Sequence, residues 1–267
     1  MTKVTHALDH AGKPVFICDF TPPRGAGPAL LDGAAHLQHA GFVSVAYNPG
    51  KLVRVDSVAA AHQLRQRFGL DVIFNLSPRD MNKIALESRL LGAAALGLEN
   101  VLVLQGDPII ERDNVSSVAD YTSTGLIAAV RNLNQGLDYR GSKLRSPCDL
   151  CVGASIDLSR GVDAEVRLTH RKVEAGAQFF VTQPVFGAEQ VEAFHLAYRS
   201  LAGQALAAPV FWGIQLLAKD GVLFSGIPAD VRAQVEQGRD GVAIARDVYD
   251  SLRSRHEDAF YLIAPIL

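Results

Sequence analysis

Val-Leu-Val-Leu-Gln-Gly-Asp-Pro (101–108) decides how the rest of the chain is read. Its four consecutive apolar residues, two of them β-branched, predict a strand buried on both faces, as in parallel sheets. The run stops abruptly. Gly106 permits a sharp turn, Pro108 removes a ladder donor, and Asp107 between them is lifted to the strand's carboxyl end. In parallel α/β folds that end is where ligands bind. A strand-end aspartate also stabilises turns and caps helices, so its meaning depends on how the other strands end.

Outward from this stretch, short apolar runs alternate with amphipathic ones from Pro14 onward, the pattern of βαβα chains. Strands are predicted at Val15–Phe20, Phe42–Tyr47 and Val72–Leu76 before the central one. After it come Leu150–Ala154, Gln178–Thr182, Val210–Ile214 and Phe260–Ala264. Helical spacing fills the gaps: a stretch through Leu30, Leu31 and Leu37, then Val58–Phe68, Met81–Leu96, Ser123–Asn134, Ala164–Ala175 and Val191–Leu201, with Pro228–Val235 and Gly241–Leu252 before the last strand. Strand starts recur at about 28-residue intervals, the length of one β-loop-α-loop unit. Eight such units in 267 residues predict an α/β protein built as a single (β/α)8 TIM barrel, with residues 1–13 a loose N-terminal tail. An open doubly wound sheet ranks lower, because no Gly-rich dinucleotide fingerprint follows any strand. No linker or composition break divides the chain.

Composition narrows the classes of function. A hydrophobic content of 48% with 20% charged residues describes a globular chain with a sizeable core. The net charge of −2 gives no electrostatic footprint for nucleic acid or an anionic membrane. No apolar run approaches the roughly 20 residues of a transmembrane helix, and the start lacks the apolar core of a secretory signal, so a cytoplasmic protein is expected. Three cysteines agree with a reducing compartment. Cys148 and Cys151 form a lone Cys-x-x-Cys without the further ligands zinc would need, and no metal site is expected.

If the barrel closes, the residues after each strand converge on one face. Those residues are polar: Asp19; Tyr47 and Asn48; Asn75, Arg79 and Asp80; Gln105 and Asp107; Gln183; Gln215. Two carboxylates, several amides and almost no histidine favour a hydrogen-bond-rich heterocycle over metal hydrolysis. Asp19 is the oddest member, set inside the apolar run Val-Phe-Ile-Cys-Asp-Phe (15–20). An unpaired buried carboxylate tends to stay protonated, the state a general acid needs near neutral pH. The alternative is a buried aspartate satisfied by backbone donors.

Five motifs, in order and spacing, resemble the methylenetetrahydrofolate reductase family: Asp-Phe-Thr-Pro-Pro-Arg (19–24), Val-Ser-Val-Ala-Tyr (43–47), Leu-Gln-Gly-Asp-Pro (104–108), Arg-Lys-Val-Glu-Ala-Gly-Ala (171–177) and Phe-Val-Thr-Gln-Pro-Val-Phe (180–186). Arg-Asp-Met-Asn (79–82), Leu-Leu-Gly-Ala-Ala-Ala-Leu-Gly-Leu-Glu-Asn-Val-Leu (90–102) and Phe-Tyr-Leu-Ile-Ala-Pro (260–265) resemble the branch fused to homocysteine methyltransferases. The resemblance implies a flavin-containing barrel that passes hydride from NADH or NADPH to FAD and on to 5,10-methylenetetrahydrofolate, giving 5-methyltetrahydrofolate. It also implies a folate substrate and a homo-oligomer.

Carried over by position, Asp19 falls on the family's proton donor, Asp107 on the aspartate facing the pterin, and Gln183 on the glutamine that hydrogen-bonds it. Tyr47 is a further candidate for the substrate. Phe224 is either a ring-stacking substrate contact or core. Arg171 and Lys172 match the basic pair at the FAD diphosphate, with Thr122 and Ser123 contacting the same cofactor. Ala46, Asn75 and Gln105, with Gly106, fall where the family lines its flavin. There Ala46 replaces a threonine, Asn75 a histidine, and Gln105 a residue that is often arginine. Asp19 replaces a glutamate and is shorter in reach by one C–C bond, about 1.5 Å. These departures keep a second reading open: a tetrahydrofolate-dependent methyltransferase or C1-carrier protein on the same barrel without flavin.

Overall fold

The structure, a computed structural model, describes residues 2–8, 13–218, 221 and 226–265; Phe224 lies outside them. Eight strands, β1 (Val15–Phe20), β2 (Phe42–Val45), β3 (Val72–Leu76), β4 (Asn100–Val103), β5 (Cys151–Ile156), β6 (Phe179–Pro184), β7 (Val210–Gln215) and β8 (Ala259–Ile263), pair in parallel and in chain order. The ring closes where β8 pairs with β1, Tyr261 opposite Ile17. This is the (β/α)8 barrel that the alternating pattern predicts. Helices α1 (Ser57–Phe68), α2 (Lys83–Ala95), α3 (Ser123–Asn134), α4 (Val162–Ala175), α5 (Ala188–Ala202), α6 (Ala229–Glu236) and α7 (Gly241–Arg253) return the chain between strands. No helix among the described residues is long and apolar enough to cross a membrane.

Local chemistry sets the helix ends. The Asp56 carboxylate accepts the backbone N–H groups of Val58 and Ala59 at 3.0 and 3.1 Å, and Gly69 at φ +67° stops α1. Gly176, at φ +118°, ends α4 in the manner its position predicts. After β1 the predicted helix is instead a 3-10 run, Pro28–Leu37. It contains Gly33, a weak helix former, and it buries only Leu31 and Ala34, so little apolar surface stabilises a regular α-helix there.

Alternation along the strands separates two cores. Ile17, Phe42, Ile73, Leu102, Phe179 and Phe211 point into the barrel. Their neighbours, such as Val43, Phe74, Val101 and Trp212, face the helices. Residues 2–8 are not a loose tail. Val4 is fully buried with the interior residues, and its N–H donates to Asn100 Oδ1 at 3.0 Å. Asn100 in turn donates to the carbonyls of Thr2 and Val72, at 3.0 and 3.3 Å. One apolar side chain and a buried amide thus close the amino-terminal mouth of the barrel, which length and composition alone did not predict.

Gly153 on β5 is where the interior is tightest. A Cβ there would lie 2.2 Å from the Phe179 ring, inside any allowed contact. Overpacking of this kind costs typically about 1–3 kcal/mol. Gly153→Ala is therefore expected to lower urea-unfolding stability by about 3 kcal/mol, whereas Gly33→Ala, which meets nothing within 4 Å, is expected to leave it unchanged or raise it.

Candidate functional site

The carboxyl ends of β2 to β6 and one face of α4 surround a cavity of about 480 Å³, within the usual range of about 300–1,000 Å³ for small-molecule sites. Ala46, Tyr47 and Asn48 line it after β2, Asn75 and Arg79 at and after β3, and Gln105, Gly106 and Asp107 after β4. Ser123 comes from the start of α3, Ser155 from β5, Lys172 from α4 and Gln183 from β6. The barrel thus gathers residues up to 137 positions apart in the chain, counted from Ala46 to Gln183. A second chamber of about 230 Å³ adjoins it, sharing Asp157 and Gln183 and adding Phe186, Gln190 and Gln215.

The loop after β4 is held by sterics and hydrogen bonds. Gly106 sits at φ +76°, and a Cβ there would come within 2.4 Å of Ser77 Oγ. Ser77 itself is buried and donates to the Gln105 carbonyl at 3.0 Å. Only glycine lets the backbone pass this close. The turn exposes Asp107, whose Oδ2 accepts the Gly50 N–H at 3.1 Å and so ties the loop after β2 to the loop after β4. Asn48, in the left-handed region at φ 40°, accepts the Arg54 N–H at 3.1 Å and shapes the other side of that junction.

Each cation on the lining has a carboxylate beside it. Arg79 holds Asp80 through two bonds, Nε to Oδ1 at 2.5 Å and Nη2 to Oδ2 at 2.7 Å. That fork keeps the Asp80 carboxyl below its ordinary range. Arg160 pairs with Asp157 at 3.1 Å. Lys172 and Glu165, 4% and 2% exposed, stand 3.5 Å apart, and Lys172 also donates to the Ser155 carbonyl. Burial pushes the Lys172 ammonium down, and the Glu165 carboxylate partly opposes that. Burial also raises the Tyr47 phenol, with the nearby Asp80 charge adding to it.

Asp19 does not line the cavity. It lies on the inward side of β1, where Tyr261 Oη donates to its Oδ1 at 2.9 Å. Burial raises its pKa to about 6, while the Tyr261 hydrogen bond acts in the opposite sense. A side-chain donor therefore satisfies part of the carboxyl, in place of the backbone donors of the alternative reading. Asp19 stands level with Ser44 on β2, and the Ser44 hydroxyl donates to Asn75 Oδ1 at 3.1 Å. Asn75 is a lining residue, so the strand level of the buried acid reaches the cavity through Ser44 and Asn75, while Asp19 itself makes no direct contact with it.

Two further sequence candidates are not on the lining. Thr122 caps α3, accepting the Gly125 N–H at 3.0 Å. Arg171 is exposed on the outer side of α4, beside Arg167 and His170, because one residue along a helix turns a side chain by about 100° from the inward Lys172. Conversely, Asp157, Arg160 and Glu165 line the cavity without having been singled out. Glu165 was within reach, since it lies seven positions before Lys172 on the same helix face.

Comparison with known proteins agrees with this architecture. The sequence profile described as methylenetetrahydrofolate reductase matches residues 3–220. Among solved structures, a protein from Clostridium thermocellum that binds two copies of 5-methyl-5,6,7,8-tetrahydrofolic acid superposes with a TM-score of 0.68 at 13% identity, over 97% of this chain and 90% of that one. A 2,3-dimethylmalate lyase of the PEP mutase/isocitrate lyase superfamily superposes with a TM-score of 0.54 at 14% identity, over 99% of this chain and 82% of that one. At these identities the two structures share the barrel fold.

The raised Asp19 pKa makes stability depend on pH. The folded protein binds this proton more tightly than an unfolded chain with an ordinary carboxyl near 3.8, so stability falls as pH rises from 3.8 to about 6 and then levels. Asp19→Asn keeps an oxygen for Tyr261 and removes the buried charge. Urea unfolding is expected to show the variant more stable than the parent by on the order of 2 kcal/mol at pH 8, with the difference shrinking toward pH 4.

Proposed function

Because this chain belongs to the methylenetetrahydrofolate reductase family, we propose that it reduces 5,10-methylenetetrahydrofolate to 5-methyltetrahydrofolate, with FAD as hydride carrier and NADH or NADPH as reductant. The observation that carries the reading is that Asp107 and Gln183, from the ends of two different strands, line one cavity whose Asn75 connects through Ser44 to the level of Asp19. The folate bound by the Clostridium thermocellum protein of the same fold supports a reduced folate as ligand.

The donor set fits a flavin. Asn75, Gln105 and Gln183 supply amide donors and acceptors for a ring edge, and Gly106 brings the backbone of the loop after β4 onto the same lining. Lys172 and Ser123 are the residues that would hold the diphosphate. Bound there, the flavin supplies the hydride. The chain's own groups do the rest. Gln183 orients the pterin by hydrogen bonds, and the Asp107 carboxylate offsets the positive charge that develops on the C1 unit as its bridge opens. The proton for the nitrogen that leaves is assigned to Asp19, protonated below about pH 6; its carboxyl stands behind the lining, level with Ser44, and the proton has to cross that distance to the substrate.

One observation favours the second reading, a tetrahydrofolate-dependent methyltransferase or C1-carrier protein without flavin. Arg79, Arg160 and Lys172 each carry a carboxylate partner, and Arg171 points away, so the lining offers a diphosphate little uncompensated positive charge.

Purified protein is expected to show flavin absorbance and to oxidise NADH when given 5,10-methylenetetrahydrofolate. Asp107→Asn should lower kcat/KM about 100-fold, the scale for removing one stabiliser of transition-state charge. Gln183→Ala should act mainly through KM. A colourless protein that takes up no FAD but binds 5-methyltetrahydrofolate by calorimetry would replace the reductase reading with the second one. Absence of folate binding would overturn both.

A further inference from the structure

The loop after β2 is bent in a way few L residues adopt. Asn48, Gly50 and Lys51 sit at positive φ, 40°, 62° and 62°. Glycine takes that region freely and asparagine tolerates it, but the Cβ of a lysine makes it uphill. Such backbone persists only where its surroundings hold it. On one side Arg54 does so: its N–H donates to Asn48 Oδ1 at 3.1 Å and its Nη1 to the Pro22 carbonyl at 2.8 Å. On the other side Lys51 does so. Its Nζ donates to the Pro108 carbonyl at 3.2 Å and pairs with Asp113, both in the loop after β4.

Between these ties lies the Gly50 N–H, which donates to Asp107 Oδ2 at 3.1 Å. No other described residue bonds that carboxylate. We propose that Lys51 is a positioning residue for Asp107: by holding the loop after β2 against the loop after β4 it keeps the Gly50 N–H on one carboxylate oxygen and leaves the other for the ligand. Lys51 is not on the cavity lining, whereas Asn48, Pro49 and Asp107 are, so it acts through Asp107 rather than on a ligand.

An exposed lysine–carboxylate pair would hold little. This one is partly withdrawn from water, its side chains 24% and 18% exposed. Asp113 is fixed beforehand, since its Oδ2 accepts the Ile110 N–H at 2.9 Å, and the Pro108 carbonyl gives the same ammonium a second acceptor. Arg79 Nη1 reaches the Asp107 carbonyl at 3.4 Å, so the backbone is held at the aspartate and at the residue after it. The Gly50 bond then fixes rotation of the carboxylate itself. Its free oxygen meets a bound C1 unit at a set distance, and a misplacement of about 1 Å at such a site costs roughly 100-fold in rate.

The proposal rests on the reading of Asp107 as the group that offsets charge on the C1 unit, but its first test needs no ligand. Gly50 is exposed, so its amide exchanges freely once the bond to Asp107 is lost. Hydrogen exchange followed by NMR should show Gly50 protected in the parent and in Lys51→Arg, and exchanging about tenfold faster or more in Lys51→Met and in Asp107→Ala. Lys51→Gly relieves the backbone while removing both ties; it should unfold at no lower urea concentration than Lys51→Met and still lose the protection, which separates positioning from stability. A Gly50 amide that exchanges as fast in the parent as in Asp107→Ala, or as slowly in Lys51→Met as in the parent, overturns the proposal. In turnover with 5,10-methylenetetrahydrofolate, Lys51→Met should lower kcat about tenfold with a smaller change in KM, Lys51→Arg should restore it, and Lys51→Met combined with Asp107→Asn should be no slower than Asp107→Asn alone. Losses that multiply in the double variant overturn the coupling to Asp107. Absence of turnover in the parent overturns the reductase reading, while Gly50 exchange still decides whether Lys51 sets the carboxylate.

Discussion

A closed ring of eight strands has to be filled by its own inward side chains, and whatever polar groups point inward must be satisfied there. The lower interior meets this with hydrocarbon: Ile17, Phe42, Ile73, Leu102, Phe179 and Phe211. Two residues further along β1, β2 and β3 the composition changes to Asp19, Ser44 and Asn75, and the closing strands add Gln215 and Tyr261. A polar group buried without a partner costs roughly 1–3 kcal/mol, so these side chains are committed to one another or to a ligand. Gln215 is informative because its buried Oε1 has no partner among the described residues and it faces the second chamber. The fold thus leaves Gln215 unpartnered at the mouth that carries the cavity and plugs the other mouth with Val4 and Asn100.

The same constraint shapes the charge on α4. Glu165, Leu168 and Lys172 share the inward face, and the two ionic residues are almost wholly withdrawn from water. A buried pair of this kind adds little net stability, because desolvation offsets most of the attraction, yet removing one partner leaves the other stranded. Its effect on the cavity is to supply charge without a net sign. With Arg79 and Arg160 likewise matched, selectivity must come from hydrogen-bond direction and shape rather than from a general attraction for anions.

Much of this architecture is legible in the chain. Val72–Leu76 and Ser123–Asn134 have the predicted bounds because a buried run ends at a turn residue in the first case and a threonine cap opens the helix in the second. Asp107 and Gln183 were legible because strand ends in a parallel barrel must converge. What could not be read depends on distant partners. The tail is anchored by Asn100, about a hundred positions away, and Asp19 is bonded by Tyr261 at a separation of 242. Arg171 shows a subtler limit. A motif places two basic residues side by side, but the helical turn separates them onto different faces, and the sequence alone does not say which one looks inward.

The seam between first and last strands also bears on how the chain is made. During translation β1 emerges early with one hydrogen-bonding edge paired to β2 and the other bare, and it waits for nearly the whole polypeptide before β8 arrives to cover that edge. The amino-terminal plug waits too, since Asn100 must be synthesised before Val4 has a place to bind. An uncovered parallel edge and an unseated apolar plug are the surfaces on which nascent chains cross-associate. Ring closure is then the event that ends the aggregation-prone phase, and a chaperone that shields β1 until β8 leaves the ribosome would act at the most vulnerable point of this fold.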